Sequence, residues 1–132
     1  MNLQETMKDL FGHSCLGYCY AFMFGNTMDY KVLTGYFLDG WFNGFIDDDG
    51  YISKPVEYIR MIGETKVKDI RKVKISSLEE LPNMERYVVE YANPNGGSHF
   101  VVVNNKVVEF DPSYPSLSVK NGKIISYREI VY

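Results

Sequence analysis

The chain has 132 residues, a formal net charge of −3 and 15% aromatic residues. Its length predicts one domain over residues 1–132, and 45% apolar with 23% charged residues is typical of a globular protein, not a disordered one. The acidic balance disfavours a nucleic-acid-binding surface, so no nucleic-acid partner is expected. Two cysteines are too few for a disulfide framework.

The N-terminal segment lacks the apolar centre of a signal peptide. The longest apolar run, residues 16–24, is too short to cross a bilayer. We therefore expect a cytoplasmic protein without a membrane span. The sequence carries no signal that sets the oligomeric state.

Residues 1–63 read as helices and loops. Ser14 is a good N-cap residue, so Cys15 is expected to open a helix that is apolar on all sides, is therefore buried, and ends at Gly25-Asn26. A second helix is predicted over residues 29–40, although its glycines weaken that pattern. Residues 47–50 form a turn, and Pro55 opens a third helix that ends at Gly63.

Residues 64–132 read as strands and turns, which together with the preceding helices gives an α+β fold. Two hairpins are expected, one around Asn104-Asn105 and one around Asn121-Gly122. The predicted strands are residues 66–75, 86–92, 98–103, 106–110, 117–120 and 123–127. Five basic residues between positions 66 and 74 are interpreted as an edge strand protected by Lys, in preference to a contact with an anionic polymer.

Three residues could perform chemistry together. Cys15 would lie at a helix N-terminus, where the helix dipole favours negative charge and a thiol ionises more readily to its reactive thiolate form. His99 begins a strand that is otherwise apolar, and Asp111 ends the next strand. A thiol, an imidazole and a carboxylate meet the needs of nucleophilic catalysis, because the imidazole takes the thiol proton and the carboxylate orients the ring.

The hydrophobic pattern of the first hairpin predicts its register. A three-residue loop over residues 104–106 pairs Val103 with Val107 and His99 with Asp111, and it gathers Phe100, Val102, Val108 and Phe110 on one apolar face. A two-residue loop would place Phe110 opposite His99 and mix the faces. The first register is favoured, and it puts the Cβ atoms of His99 and Asp111 roughly 5 Å apart.

These motifs resemble a known family. A Cys at the head of a buried helix, His in SHFVVV and Asp in VEFDPS are similar to the papain-like cysteine peptidases of the bacteriocin-leader-processing (double-glycine) type. The segments GFIDDDGYISKP and VEYIRMIG extend the likeness to their small prophage- and plasmid-borne relatives. The resemblance implies a papain-like fold in which Cys15 is the nucleophile, His99 the base and Asp111 the orienting acid, with no cofactor.

The chain also departs from that family. Such enzymes usually carry a Gln several residues before the Cys to stabilise the oxyanion, whereas Asp9 lies six residues before Cys15 and the only upstream Gln is Gln4. A second motif, GYCYAF, resembles the plant-type papain signature and would instead make Cys19 the nucleophile, with His13 six residues upstream. Cys15 is preferred because Ser14 caps its helix.

Two functional hypotheses follow. The first is a cysteine hydrolase that cleaves an amide bond in a peptide, protein or peptidoglycan substrate. The second is a papain-fold protein that no longer catalyses and binds a partner in phage–host or mobile-element biology. A zinc site from the cysteines and histidines has no further support, and an EF-hand at residues 47–50 is rejected because Phe45 and Val56 would fall at ligand positions.

Overall fold

The computed structural model describes residues 13–94, 96–112 and 117–132. The expected α+β fold is confirmed, with helices first and one antiparallel five-stranded sheet after them. The helices are α1 (Cys15–Gly25), α2 (Tyr30–Phe42), α3 (Pro55–Ile62) and α4 (Leu117–Asn121), with a 3₁₀ turn over Leu78–Glu80. The strands are β1 (Asp69–Lys74), β2 (Tyr87–Ala92), β3 (Ser98–Asn104), β4 (Val107–Phe110) and β5 (Lys123–Val131).

The sheet has the strand order β1-β5-β2-β3-β4, with every neighbouring pair antiparallel. β1 is therefore an edge strand, as its basic residues predict, and most of its side chains are exposed. Lysines on an open strand edge discourage pairing with another chain. β5 lies between β1 and β2, so the strand latest in the sequence occupies an inner position.

Helix α1 runs through the core, as its uniformly apolar sequence predicts. Residues 17–22 are all buried, and the helix packs against α2, α3 and β3. It ends at Asn26, whose left-handed conformation (φ 53°) closes the last turn. Among the residues that the structure describes, no helix is long and apolar enough to span a membrane.

Close helix packing explains a glycine that weakened the prediction of α2. A Cβ atom on Gly40 would lie 2.6 Å from Cε1 of Tyr58, which is fully buried on α3. The Tyr58 hydroxyl in turn donates to the Gly17 carbonyl of α1 at 3.0 Å. Gly40 therefore lets α2 and α3 approach more closely than any larger residue would allow.

The predicted register of the first hairpin is wrong. The loop contains two residues, Asn105 and Lys106, which both have positive φ (56° and 60°) as a type I′ turn requires. Val103 therefore pairs with Val108 instead of Val107. Val108 consequently packs with Val101 and Val103, on the opposite side from Val102 and Phe110.

A β-bulge then corrects the alternation of side chains. The register shifts so that Val102 pairs with Phe110, which leaves Glu109 as the extra residue of β4. Phe110 thus shares the face of Val102, and the next residue, Asp111, returns to the face of His99. The bulge, and not direct cross-strand pairing, brings the two predicted site residues to the same side.

The second predicted hairpin, around Asn121-Gly122, is also wrong. Residues 117–121 form the short helix α4, and only the second predicted strand exists, as β5. Both edges of β5 are occupied by β1 and β2, so no edge is left for a hairpin partner. The pairing of β5 with β1 and β2 here overrides the local turn preference of Asn121-Gly122.

Candidate active site

Cys15 is the first residue of α1, as predicted. Ser14 occupies the N-cap position and its carbonyl accepts from the Tyr18 N–H at 3.1 Å, although its hydroxyl makes no capping bond to the helix. The Cys15 side chain is partly exposed, whereas Ser14 is buried. A sulfur at this position is accessible and lies in the positive field of the helix N-terminus.

The structure brings the three predicted residues together. The Cys15 Sγ lies 3.3 Å from His99 Nδ1, and His99 Nε2 lies 2.7 Å from Asp111 Oδ1. His99 and Asp111 are both buried, so water competes little for the bond between them. The Cys15 thiol and the Asp111 carboxylate thus contact the two different nitrogens of the His99 ring, although the two residues are 96 positions apart in the sequence.

The surroundings of His99 favour its charged form. Burial acts to lower the pKa of His99, but the hydrogen bonds to Asp111 and then to Cys15, together with the charges of both partners, raise it to about 9. At neutral pH the ring is therefore protonated. It then donates one N–H to the carboxylate and directs the other at the sulfur.

Cys19 has a different environment. It is completely buried, and its Sγ donates to the Phe100 carbonyl at 3.3 Å. Burial, followed by the charges of Cys15 and Asp111, raises the pKa of the Cys19 thiol well above its usual value. His13, which lies six residues upstream of Cys19, stacks on Tyr51, and its Nε2 lies 2.8 Å from the Tyr51 hydroxyl. The geometry thus favours Cys15 over Cys19 as a nucleophile.

Aromatic side chains surround the carboxylate end of the site. The ring centroid of Tyr30 lies 6.0 Å from that of Phe110, and Phe110 is the residue that precedes Asp111. Burial, and then the charge of Asp111, raises the pKa of Tyr30 and of the buried Tyr91. These rings lower the local dielectric, which strengthens the bond between His99 and Asp111.

One buried carboxylate that the sequence does not single out is Glu90 on β2, which pairs with Phe100 of β3. Glu90 accepts from the Ser98 hydroxyl at 2.6 Å and from the Ser126 hydroxyl at 2.7 Å, and its Oε1 lies 3.4 Å from Arg128 Nη1. Because Ser98 directly precedes His99, this network fixes the start of β3. A single acidic residue inside the apolar run YVVEYA was the available signal.

Within the described residues, no group of three or more His, Cys, Asp or Glu side chains could hold a metal ion. Asp47 instead caps its own turn, where its Oδ1 accepts from the N–H groups of Asp49 and Tyr51. Gln4 and Asp9, which bear on the oxyanion, lie outside the described residues.

Comparisons with protein-family models, with curated proteins and with solved structures found no significant match to this chain. The arrangement of Cys15, His99 and Asp111 is therefore the main structural feature that bears on function.

Proposed function

We propose that this protein is a papain-like cysteine hydrolase that cleaves a peptide or another amide bond. The proposal depends on one observation, the continuous contact from the Cys15 sulfur through His99 to Asp111. A nucleophile at the head of a buried helix that packs on an antiparallel sheet also agrees with the family resemblance in the sequence. The substrate would be a peptide, a protein isopeptide bond or a peptidoglycan cross-link.

The proposed reaction has two stages. In the first, the Cys15 thiolate attacks the carbonyl carbon, the C–N bond breaks, and the His99 imidazolium gives its proton to the leaving amine. In the second, His99 accepts a proton from water as that water attacks the thioester. The acid is released, and the sulfur and imidazole recover their original protonation. Asp111 holds the ring and stabilises its charged form throughout.

The charge that develops on the carbonyl oxygen would lie beside the N-terminus of α1. The helix dipole and the backbone N–H groups of a first turn favour negative charge. This contribution comes from the backbone. It is therefore independent of the upstream Gln that the resemblance leads one to expect.

Alkylation of the two cysteines tests the proposal. A free thiol at pH 7 is only a few per cent ionised, so a thiolate held by imidazolium reacts about tenfold faster, after allowance for its lower intrinsic nucleophilicity. With iodoacetamide and peptide mass spectrometry, we expect Cys15 to label about tenfold faster than free cysteine. Cys19 is the internal control, and it should label only after unfolding because it is completely buried.

A His99→Gln variant provides the matched control, because it removes the imidazolium and keeps a side chain of similar size. Its Cys15 should label at the slow rate of an ordinary thiol. Equal, slow labelling of both cysteines in the unmodified protein would contradict an activated nucleophile. A Cys15→Ala variant that keeps the full biological effect would favour the non-catalytic binding module instead.

A further inference from the structure

An exposed aromatic surface lies beside the candidate active site. Trp41, Phe42 and Tyr51 are 41%, 84% and 55% exposed, which is unusual for three large rings in one region. The three exposed carboxylates of the neighbouring turn accompany them. We call this surface the aromatic–acidic face, and its members are His13, Trp41, Phe42, Asp47, Asp48, Asp49 and Tyr51.

Hydrogen bonds and a ring contact join most of these residues into one surface, and Phe42 directly follows Trp41 at the end of α2. Trp41 Nε1 donates to Asp48 Oδ1 at 2.9 Å, which ties the end of α2 to the acidic turn. The His13 N–H donates to the Asp49 carbonyl at 2.8 Å, and its ring stacks on Tyr51 with centroids 4.2 Å apart. These contacts hold Trp41, Tyr51 and His13 in place against the acidic turn.

The aromatic–acidic face begins next to the nucleophile. His13 is two residues before Cys15, a distance of at most about 7 Å along the chain. A polypeptide whose scissile bond lies at Cys15 therefore reaches this face within a few residues. Trp41, Phe42 and Tyr51 are not members of the core clusters formed by the described residues.

Charge decides which segment would bind here. Within the described part of the chain, no Lys or Arg forms an ion pair with Asp47, Asp48 or Asp49. Ammonium and guanidinium groups bind both carboxylates and the faces of Trp, Tyr and Phe rings. A cationic partner therefore binds the rings and also brings opposite charge to the three carboxylates, whereas a neutral glycan brings no charge to them.

We propose that the aromatic–acidic face docks a Lys- or Arg-rich segment of the polypeptide substrate and presents the neighbouring amide bond to Cys15. This inference rests on the proposed function and deepens it, because it narrows the substrate to a protein or peptide with basic residues near the cleaved bond.

The single tryptophan of the chain reports directly on binding. A hexapeptide of alternating Lys and Arg is titrated into the Cys15→Ala protein while Trp41 emission is followed. We expect a saturable change in emission. The affinity obtained from it should fall as salt is raised from about 0.05 to about 0.5 M, because salt screens exposed charges. The Tyr51→Ala and Asp49→Asn variants should each weaken binding by roughly two- to fivefold.

Tyr132→Ala is the matched control, because Tyr132 is 60% exposed elsewhere and its removal should leave binding unchanged. The proposal is overturned if the cationic peptide gives no saturable change, or if Tyr132→Ala weakens binding as much as Tyr51→Ala. It is also overturned if chitohexaose or a Glu/Ser hexapeptide binds equally well, or if the emission change tracks protein self-association. Since Cys15→Ala cannot catalyse, this binding test fails or succeeds separately from the alkylation test.

Discussion

Removal of the Asp111 charge should lower the pKa of His99. The substitution Asp111→Asn keeps the size of the side chain and an oxygen acceptor, but it replaces the carboxylate by a neutral amide. The bond that it alters is 2.7 Å long, and both side chains are nearly inaccessible to solvent, at 6% and 4% exposed. Little solvent is present to compensate for the lost charge.

The structure sets the scale of this effect. The pKa of His99 rises from 6.5 to about 9 against the opposing effect of burial. Each pKa unit corresponds to 1.36 kcal/mol, so the partners of His99 stabilise its charged form by roughly 3 kcal/mol net of burial. The hydrogen bond to Asp111 is the largest of the raising influences. We therefore expect Asp111→Asn to lower the pKa by about one unit or more.

Titration by NMR measures the change. The chain has two histidines, so protein labelled with ¹³C in histidine gives two ring signals. The His99 signal should titrate with a midpoint near pH 9 in the unmodified protein and at a lower pH in Asp111→Asn. Cys15→Ala should also lower it, by a smaller amount. His13, which contacts Tyr51 and not the site, is the internal reference.

Two results would refute this reasoning. A His99 midpoint near 6.5 in the unmodified protein would mean that Asp111 and Cys15 do not hold the charged ring. An unchanged midpoint in Asp111→Asn would mean that the carboxylate only positions the ring. If Asp111→Asn does not fold, the comparison of Cys15→Ala with the unmodified protein still tests the contribution of the sulfur.

Two further predictions concern stability, measured as the free energy of unfolding in urea. Gly40→Ala should destabilise by about 1–2 kcal/mol, because its Cβ would meet Tyr58 and overpacking exceeds the gain in helix propensity. Gly35→Ala in the same helix has no atom within 4 Å of its Cβ and should stabilise by up to about 1 kcal/mol, so equal effects at both positions would contradict the packing argument. Glu90→Gln should cost about 2 kcal/mol at pH 7, because Ser126 and other donors lose a charged acceptor. Burial acts to raise the pKa of Glu90, but hydrogen bonds and nearby cations lower it overall. The stability that the carboxylate contributes is therefore present above its unfolded-state pKa and is lost as the pH falls. The stabilities of Glu90→Gln and the unmodified protein should converge in acid.

The sequence predicts local features of this protein well. The beginning of α1 at Cys15, its end at Asn26 and the beginning of α3 at Pro55 all agree with the structure. The last two boundaries are set by neighbouring residues, through the left-handed conformation of Asn26 and the fixed φ of Pro55, whereas α1 begins after Ser14 without a capping bond from its hydroxyl. The edge position of β1 follows similarly from its lysines.

The failures occur where distant parts of the chain decide the outcome. The bulge at Glu109 and the helix at residues 117–121 depend on which strands occupy each edge of the sheet. No local pattern contains that information. The sequence predicts that His99 and Asp111 are close, but from the wrong hairpin register. In the actual register, Asp111 lies on the same face as His99 only because the bulge at Glu109 adds one residue to β4. Glu90 was missed because its partners lie on other strands.

The inner position of β5 has a consequence for how the protein is made. β1 has only β5 as a partner in the sheet, and β5 follows it by about fifty residues. In a nascent chain on the ribosome, β1 therefore has no strand to pair with until β5, which ends at Val131, has been synthesised. During that interval, the charge of its lysines should discourage the unpaired strand from aggregating. The lysines would thus act during synthesis as well as in the folded sheet.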